Sequence, residues 1–345
     1  MKYAIVFGGQ SYEHEISIVS AIALKDVLNT SLEFIFVDSA REFYLIDAKD
    51  MKSKYFSSGD YKKCDKLILK QGGFYKKALL GEKKVEFDCV INLVHGGDGE
   101  DGKLAGIFEF FGIDFIGPRV EASVLSFNKL YTKLYAKEIG VEVVEYEVLR
   151  DRDYKLKKLN FPVIIKPSRL GSSIGVSIVK SEDELSYALD VAYEFDNEIV
   201  VEPFIEGVKE YNLAGSRAGD EFVFSIVEEP QKKEFLDFEK KYMDFSRTEQ
   251  VLKADIDDAM TNNMKEAFKK IYSKLFSGAI IRCDFFVVDG KVMLNEINPI
   301  PGSYANYLFE DFNQVVLNTA KNLPKTKKID IDYKYINSIV KAKGK

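Results

Sequence analysis

The residues best suited to hold a metal ion lie in two short polar motifs of the C-terminal half. Arg282-Cys-Asp284 is followed, after a turn candidate at Asp289-Gly290, by Asn295-Glu296-Ile-Asn298. Carboxylate and amide oxygens are the hard ligands that Mg²⁺ prefers. Because side chains alternate along a strand, Arg282 and Asp284 share one face, and so do Glu296 and Asn298. The motifs predict a magnesium site of Asp284, Glu296 and Asn298; the alternative is a surface hairpin with polar ends.

Whether the two motifs share a face depends on the turn between them. A two-residue turn at Asp289-Gly290 pairs Asp284 with Asn295 and sends Glu296 to the opposite face, whereas a three-residue or bulged turn pairs Asp284 with Glu296. We therefore predict the bulged turn. A two-residue turn with Asp284 and Glu296 on opposite faces would exclude a shared metal site.

A second group of residues has the chemistry of a nucleotide site. Lys166 ends a predicted strand and precedes the segment 171–175, Gly-Ser-Ser-Ile-Gly, whose backbone N–H groups suit phosphates. This segment lacks the Walker signature, and a simple hairpin turn is the alternative. Glu202, Phe204 and Ile205 end the next strand and offer a carboxylate, backbone groups and apolar side chains to an adenine. The alternative there is a strand end with solvent-facing acids.

Two further loops lie where a strand gives way to a helix. The first is residues 8–15, Gly-Gly-Gln-Ser-Tyr-Glu-His-Glu, and the second is residues 95–102, His-Gly-Gly-Asp-Gly-Glu-Asp-Gly. Loops at the carboxyl ends of strands bind ligands in α/β folds, so we interpret both as substrate loops. Helix capping by Ser11, or by Asp98 and Glu100, is the alternative.

Hydrophobic periodicity predicts the elements that must position these loops. Strands are predicted at residues 3–7, 33–37 and 89–94, and helices at about 17–28 and 104–111. Residues 39–85 are rich in Lys, Tyr and Gly, with strand candidates at 43–46 and 67–69, and we interpret them as a decoration. The chain therefore opens as an α/β unit.

The rest of the chain has a different organisation after Gly117-Pro118. One helix is predicted from Val120 to Ile139, then strands at 162–166 and 198–205, with a capping box at 181–184 between them. Hairpins around 217–220 and 289–290 predict an antiparallel sheet. The predicted domains are 1–117, 118–202 and 203–345, of class α/β followed by α+β.

Composition excludes several classes of function. A length of 345 residues predicts two or three domains, and a net charge of −6 with both signs dispersed argues against nucleic-acid binding. The basic run 325–328 is interpreted as a solvated tail. No apolar stretch suits a signal sequence or a membrane span, so we expect a cytoplasmic protein. Three separated cysteines predict reduced thiols, and two histidines argue against zinc.

Taken in order, these motifs resemble those of the D-alanine–D-alanine ligases of the ATP-grasp superfamily. The matching motifs are GGxSxExE followed by Ser17, HGxxGEDG at 95–102, KPSxxGSSxG at 166–175, the omega-loop pair Lys241-Tyr242, and the hairpin from Arg282 to Gly302. They span residues 8 to 302. The resemblance implies an ATP-grasp fold, with an N-terminal Rossmann-like parallel-sheet domain and two α+β domains that clamp ATP.

The resemblance also implies roles for single residues. ATP is expected at Lys129, Lys166, Ser173, Glu202, Phe204, Ile205, Glu210, Lys241 and Phe286, and two Mg²⁺ (or Mn²⁺) at Asp284, Glu296 and Asn298. Two D-alanine molecules are expected at Glu13, His95, Arg282, Gly302, Tyr307 and Leu308. Ser172 and Tyr242 would hydrogen-bond to Glu13 and hold the omega loop closed. Arg282 and the Gly302 N–H would stabilise the tetrahedral oxyanion.

The implied reaction forms a D-alanyl phosphate, then D-alanyl-D-alanine and ADP for peptidoglycan precursors, in a homodimer. The chain departs from the family pattern at Leu170, where many relatives have Glu, at Pro299-Ile300, and at Tyr307, where a Ser often binds the second substrate. The rivals are a D-alanine–D-lactate ligase, against which Tyr242 argues, a D-alanine–D-serine ligase, and a non-catalytic nucleotide-binding module. The general base stays unassigned.

Overall fold

A computed structural model describes residues 1–151, 156–230, 253–325, 327 and 329–342. Three β-sheets follow one another along this part of the chain. Each sheet buries apolar side chains against helices, so each has a hydrophobic core. This arrangement agrees with the predicted α/β and α+β class.

The first sheet is mixed. Its strands are β1 (Tyr3–Gly8), β2 (Leu32–Val37), β3 (Phe43–Ile46), β4 (Asp65–Lys70), β5 (Gly73–Lys77), β6 (Glu82–Lys84), β7 (Cys89–Asn92) and β8 (Phe115–Ile116). They lie in the order β6-β5-β4-β3-β2-β1-β7-β8. The strands β2, β1, β7 and β8 are parallel, as predicted, whereas β3 to β6 add an antiparallel extension. The region 39–85, predicted as a decoration, therefore continues the sheet itself.

Helices cover the parallel part of this sheet. They are α1 (His14–Val27) and α3 (Lys103–Phe110), with the short α2 (Ser53–Ser57) and 3₁₀ turns at Ala48–Asp50 and Asp60–Lys63 in the extension. The strand β1 is buried along its whole length, as a central parallel strand requires. The apolar side of α1 packs into the same core through Ala21 and Leu24. The loops that follow β1 and β7 thereby start from rigid strand ends.

The second sheet is small and antiparallel. Its strands are β9 (Glu147–Leu149), β10 (Val163–Pro167), β11 (Ser177–Val179) and β12 (Ile199–Pro203), in the order β11-β10-β12-β9. One helix, Glu182–Tyr193, packs on the sheet through Leu185 and Leu189. The predicted capping box is wrong, because Glu184 accepts from the Lys180 N–H at 2.7 Å and Ser181 makes no side-chain cap.

The third sheet consists of two hairpins, as predicted. Its strands are β13 (Lys209–Ala218), β14 (Glu221–Glu228), β15 (Ile281–Val288) and β16 (Lys291–Asn298), in the order β14-β13-β15-β16. The long helix Asp258–Leu275 buries Phe268 and Tyr272 against it. Ala122 and Ala136 belong to the same core. The domain boundaries near residues 117 and 202 stay a prediction.

The helix predicted from Val120 to Ile139 is two helices, Val120–Phe127 and Lys129–Glu138. Asn128 between them is extended, with φ −98° and ψ 114°, and its side chain accepts from the Tyr131 N–H at 3.1 Å. The prediction of one helix is wrong because Asn128 caps a new helix instead of continuing the old one. Lys129 consequently stands at the first position of the second helix.

The hairpin of β15 and β16 has the predicted pairing by a different route. The turn has only two residues, since Val288 pairs with Lys291, so the predicted bulged turn is wrong. The register shifts instead within the strands, between Asp284 and Phe285, and Asp284 pairs with Glu296. Asn295 is the extra residue of this β-bulge. The two carboxylates therefore face each other across neighbouring strands.

The C-terminal part returns to the first sheet. The helix Phe312–Lys321 buries Phe312 and Val316 in the core of that sheet. The last helix, Lys334–Ala342, is exposed along its whole length. Within the described ranges, no helix combines the length and apolar character that a membrane span needs.

Candidate active site

One cleft brings together groups from all three sheets. Its lining includes Glu100 from the loop after β7, Lys129 at its helix start, Gly171 from the loop after β10, and Glu296 and Asn298 from β16. Sequence motifs separated by nearly two hundred positions therefore meet here. This is the arrangement that a reaction between a nucleotide and a small substrate needs.

An anchored arginine and carboxylate lie at the β15 and β16 side of the cleft. Arg282 donates from Nε to Asp284 Oδ1 at 2.7 Å and from Nη2 to Oδ2 at 2.8 Å, and Asn298 Nδ2 donates to Oδ2 at 2.9 Å. Burial raises the pKa of Asp284, and the nearby Glu296 adds to this, while Arg282 opposes it. The two carboxylates thus repel each other, and a cation between them would relieve that repulsion.

The donor set fits magnesium held jointly with a nucleotide. Asp284, Glu296 and Asn298 offer carboxylate and amide oxygens on adjacent strands. In the part of the chain that the structure covers, no three His, Cys, Asp or Glu side chains converge on one point. Mg²⁺ is commonly bound by one or two carboxylates together with substrate phosphates, so a complete protein cage is not required.

A buried carboxylate joins two lysines beside the cleft. Glu202 lies 2.7 Å from Lys166 Nζ through Oε2 and 2.8 Å from Lys133 Nζ through Oε1. Burial opposes ionisation of Glu202, but the two lysines outweigh it and lower its pKa to about 2. Lys166 Nζ also lies 3.4 Å from Asn295 Oδ1. Both carboxylate oxygens of Glu202 are therefore engaged by cations, and an adenine would have to share them.

Lys129 points toward the loop after β10. Its Nζ donates to the Leu170 carbonyl, and its backbone N–H donates to the Ser168 carbonyl at 2.8 Å. Burial lowers the pKa of Lys129; Glu296 opposes this shift, and Lys166 adds to it. Two lysines close enough to affect each other concentrate positive charge, which a phosphate chain would neutralise.

The first substrate loop contacts the loop after β10 as predicted. Ser172 Oγ donates to Glu13 Oε1 at 2.6 Å, and Glu13 is 8% exposed. Burial raises the pKa of Glu13, and Glu100 raises it further. A β-carbon at Gly171 would lie 3.0 Å from Glu13 Oε1, and one at Gly96 would lie 2.6 Å from Oε2. Both glycines let the backbone approach this buried carboxyl closely.

His95, from the second substrate loop, is held on both ring nitrogens. Nδ1 lies 2.8 Å from the Ile300 carbonyl and Nε2 lies 3.0 Å from Ser20 Oγ, which also accepts from the Ser303 N–H at 3.1 Å. A carbonyl only accepts, so the network assigns the proton to Nδ1. Burial lowers the pKa of His95. A substrate bond to either nitrogen would have to replace one of these contacts.

The segment after β16 is a strained turn, Gly302–Leu308. Ser303, Tyr304 and Ala305 have φ of 49°, 53° and 49°, a left-handed conformation that costs energy for residues with a β-carbon. Tyr304 holds the turn by donating to the Asn92 carbonyl at 2.6 Å. Gly302 begins this turn. Its rigidity would fix the direction of the Gly302 N–H.

The other expected substrate residues lie at the end of this turn. Tyr307 is 42% exposed, whereas Leu308 is 2% exposed. Leu308 packs with Ala214 and Ala305 in a small core. Leu308 therefore anchors the turn in a buried core, whereas Tyr307 is partly exposed to solvent.

The expected adenine and ribose residues lie in two of the sheets and in the loop after β10. Phe204 and Ile205 follow that strand directly, and the Phe204 N–H donates to the Pro162 carbonyl at 3.0 Å. Glu210 and Phe286 are cross-strand partners in β13 and β15. Ser173 is left-handed, with φ 59°, in the loop after β10. Lys241 and Tyr242 lie outside the described residues.

The sequence interpretation missed Lys133, and it gave Asn295 and Glu100 no role beyond their places in the metal motif and the second substrate loop. Lys133 is 1% exposed and stands three positions after the buried Leu130, a helical spacing that could have revealed it. Burial raises the pKa of Glu100 to about 8, with a further contribution from Glu296. Asn295 carries no signal, because strand alternation alone does not show where a bulge falls.

The capping alternatives for the two substrate loops are also resolved. Ser11 Oγ accepts from the Glu13 N–H at 3.0 Å, but α1 has no side-chain cap of its own. Neither Asp98 nor Glu100 caps α3. Asp101 instead accepts from the Lys103 N–H at 3.1 Å. The Asp98 side chain instead accepts hydrogen bonds from Arg41 and the Gln10 N–H, and Glu100 lines the cleft.

The chain is similar to characterised sequences along its whole length. The family description "D-ala D-ala ligase N-terminus" matches residues 2–118, and "D-ala D-ala ligase C-terminus" matches residues 135–338. The D-alanine–D-alanine ligase of Nitratiruptor sp. is 62% identical, over 99% of this chain and 100% of the relative. That of Wolinella succinogenes is 61% identical, over 100% of both chains.

Solved structures agree with these sequence relationships. The D-alanine–D-alanine ligase of Helicobacter pylori, 53% identical, superposes with a TM-score of 0.85 over 95% of this chain and 100% of that one. The VanG D-Ala:D-Ser ligase of Enterococcus faecalis is 26% identical, with a TM-score of 0.75 over 93% of this chain and 98% of that one. The motifs, the ATP-grasp architecture and these similarities agree, and the chain belongs to the D-alanine–D-alanine ligase family.

Proposed function

We propose that the protein joins two D-alanines with ATP, forming D-alanyl-D-alanine and ADP for peptidoglycan precursor synthesis. The observation that carries the proposal is the cleft itself. It places the cationic Lys129 opposite Glu296 and Asn298, beside an arginine anchored by Asp284. A phosphoryl transfer needs cations for the phosphates and a second charged group for the acyl intermediate, and both are present here.

The nucleotide side of the cleft is proposed to act through positioning. Lys129 and Lys166 bind the phosphates, and Glu202 keeps Lys166 in place from behind. Asp284, Glu296 and Asn298 would hold two Mg²⁺, or Mn²⁺, which would supply charge neutralisation for the phosphoryl group. The carboxylate of the first D-alanine attacks the γ-phosphorus, ADP leaves, and D-alanyl phosphate forms. Lys241 is proposed to bind the γ-phosphate on the basis of its motif.

The substrate side is proposed to hold the first D-alanine by its ammonium group. Glu13 is a buried carboxyl whose pKa is raised by burial, so an ammonium group is the partner that would stabilise its ionised form. Ser172 orients Glu13 through its 2.6 Å bond. His95, bonded to the Ile300 carbonyl and to Ser20, fixes the start of the second substrate loop.

The second step is attack by the amine of the second D-alanine on the acyl phosphate carbonyl. The bonds to Asp284 use Nε and Nη2 of Arg282 and fix the guanidinium plane, so we assign Nη1 to the developing oxyanion. The Gly302 N–H is proposed as the second donor. One well-placed donor is worth roughly 3 kcal/mol of transition-state stabilisation. Phosphate then leaves as the peptide bond forms.

A product assay tests this function. The protein is incubated with ATP, Mg²⁺ and D-alanine, and the dipeptide is sought by mass spectrometry while ADP release is followed. Asp284→Asn is the matched control, because it keeps the shape of the side chain and removes its charge. Nucleotide binding without ADP formation with any D-amino acid would favour a non-catalytic binding module and contradict the proposal.

The identity of the second substrate rests on fewer residues than the ATP site does. The exposed Tyr307 stands where a Ser often binds the second carboxylate, and a relative with a D-Ala:D-Ser title shares the fold. Competition between D-alanine, D-serine and D-lactate across pH decides among the three products. A preference for D-lactate at any pH would contradict the assignment of the dipeptide as product.

The assembly and cell compartment are proposed from the family alone. We propose a homodimer acting in the cytoplasm, where ATP and reduced cysteines are maintained. Cys89 and Cys283 are buried free thiols, which is compatible with a reducing environment. Analytical ultracentrifugation at several concentrations measures the assembly state, and a monomer at micromolar concentration would contradict the dimer.

A further inference from the structure

One ion pair links both substrate loops to the antiparallel extension of the first sheet. Loop A is defined as residues 9–13 and loop B as residues 95–102. The Asp98 side chain in loop B accepts from the Gln10 N–H in loop A, with 2.9 Å between Gln10 N and Asp98 Oδ2. Arg41 donates to the same carboxylate. Its Nε lies 3.2 Å from Oδ1 and 3.0 Å from Oδ2, and its Nη2 lies 3.0 Å from Oδ1.

The position of Arg41 is set by a tight turn. Asp38, 6% exposed at the end of β2, accepts on Oδ1 from the N–H groups of Ala40 and Glu42, at 2.9 and 3.0 Å. Arg41 itself has φ 61°, a left-handed conformation that is uncommon for a residue with a side chain. A strained residue held by a buried turn has a defined direction. The turn aims the guanidinium at loop B.

Asp98 is built to receive these donors. It is 3% exposed and left-handed, with φ 69°. Burial alone would raise the pKa of this carboxyl, but the Arg41 hydrogen bonds, the Gln10 N–H and the neighbouring charges outweigh burial and lower it. Lys103 Nζ adds a longer contact of 3.6 Å. The carboxylate is therefore charged, buried and fully oriented.

Loop A and loop B carry the residues assigned to the first D-alanine. Glu13 ends loop A and His95 begins loop B. The loops pack without spare room, since a β-carbon at Gly9 would lie 2.6 Å from Val94 and one at Gly97 would lie 3.3 Å from the Gln10 carbonyl. The bond between Gln10 N–H and Asp98 adds one charged group to this close packing.

We propose that Arg41 and Asp98 form a positioning pair that fixes the distance between Glu13 and His95, and with it the affinity of the first D-alanine site. This rests on the proposed function for the identity of the substrate. Neither residue is among those that line the cleft of Glu100, Lys129 and Glu296, so the pair acts through the loops. The antiparallel extension thereby has a functional purpose, because it supplies the cation that keeps the substrate loops together.

Steady-state kinetics test the pair through graded variants. Arg41→Met and Asp98→Asn both remove the ion pair but leave an acceptor for the Gln10 N–H, so each raises KM for D-alanine about fivefold with kcat nearly unchanged. Asp98→Ala also removes that acceptor and raises KM more than about tenfold. Arg41→Lys keeps the positive charge but loses the two-nitrogen contact of the guanidinium, so it should give an intermediate KM. Combining Arg41→Met with Asp98→Asn adds nothing to either single variant.

A control and a second measurement separate this pair from general destabilisation. Lys66→Met removes a neighbouring exposed ion pair, in which Lys66 Nζ lies 2.8 Å from Glu42 Oε2, and it should leave KM unchanged. Hydrogen–deuterium exchange of residues 8–14 follows the Gln10 N–H directly and should accelerate in Asp98→Ala and in Arg41→Met. Hydrogen exchange reports on the Arg41–Asp98 pair whether or not the protein forms the dipeptide. A wild-type protein that forms no dipeptide would therefore refute only the proposed function. Unchanged exchange, or faster exchange with an unchanged KM, overturns the positioning role.

Discussion

Glu202→Gln tests how strongly the two buried lysines depend on one carboxylate. The pKa of Glu202 falls from its ordinary value of 4.5 to about 2 in the folded protein. At about 1.4 kcal/mol for each tenfold change, this difference means that the fold is about 3 kcal/mol more stable with ionised Glu202 than with the neutral acid. Glutamine keeps the shape of the neutral acid, so the substitution should cost about that much at pH 7.

The pH dependence of this loss follows from the direction of the pKa shift. A carboxyl whose folded pKa is lowered stabilises the protein fully above its unfolded pKa and loses this contribution as pH falls toward its folded pKa. The stability difference between wild type and Glu202→Gln should therefore stay constant from pH 8 to 5. It should shrink below pH 4.5, toward zero near pH 2.

Thermal unfolding of the two proteins over that pH range measures the difference, with Glu206→Gln as an exposed control four positions away. Lys133→Met should cost less, because Glu202 keeps its bond to Lys166. An equally stable or more stable Glu202→Gln variant at pH 7 would refute the reasoning. That result would show that the desolvation cost of the buried carboxylate is as large as its favourable interaction with both lysines.

The remaining predictions concern the substrate loops and the second-substrate pocket. Ser172→Ala removes the 2.6 Å bond to Glu13 and, at about 1.5–3 kcal/mol for a bond to a charged group, should raise KM for D-alanine at least tenfold in initial-rate assays. Burial lowers the pKa of His95, so below pH 6.5 the unfolded chain binds a proton that the folded protein resists, and stability should fall. An NMR titration, assigned with His14→Asn, checks this, and a His95 signal titrating at or above 6.5 would contradict it. Tyr307→Ser should leave turnover within a few-fold, whereas a large change in KM for the second D-alanine would show that the Tyr itself is used.

Local patterns predicted the regular elements well. The strand β1 and both hairpins of the third sheet were readable because apolar alternation and turn residues act over a few positions. The contact between Ser172 and Glu13 was predicted only through the family resemblance, since 159 positions separate the two residues. Long-range pairs of this kind have no local signal.

The errors occurred where one residue changes the geometry. Asn128 interrupts two helical patterns that read as one, because its capping bond competes with helix continuation. Asn295 moves Glu296 to the position opposite Asp284 without any change in the apolar pattern. Lys133 looks like a surface lysine until Glu202 is placed beside it. The bulge at Asn295 and the burial of Lys133 depend on partners in other strands, which the local sequence pattern does not show.

The ends of the eight-stranded sheet bear on the protein's solubility during folding. An unpaired strand edge is a template on which other chains can add strands and aggregate. The outermost strand on one side, β6, is Glu-Lys-Lys and exposed, and β8 on the other side has only two residues. The Arg119 guanidinium covers the Phe115 ring of β8 at 3.8 Å. Charge at one edge and brevity with a covering cation at the other discourage intermolecular pairing, so neutral apolar substitutions at residues 82–84 should favour fibrous aggregates.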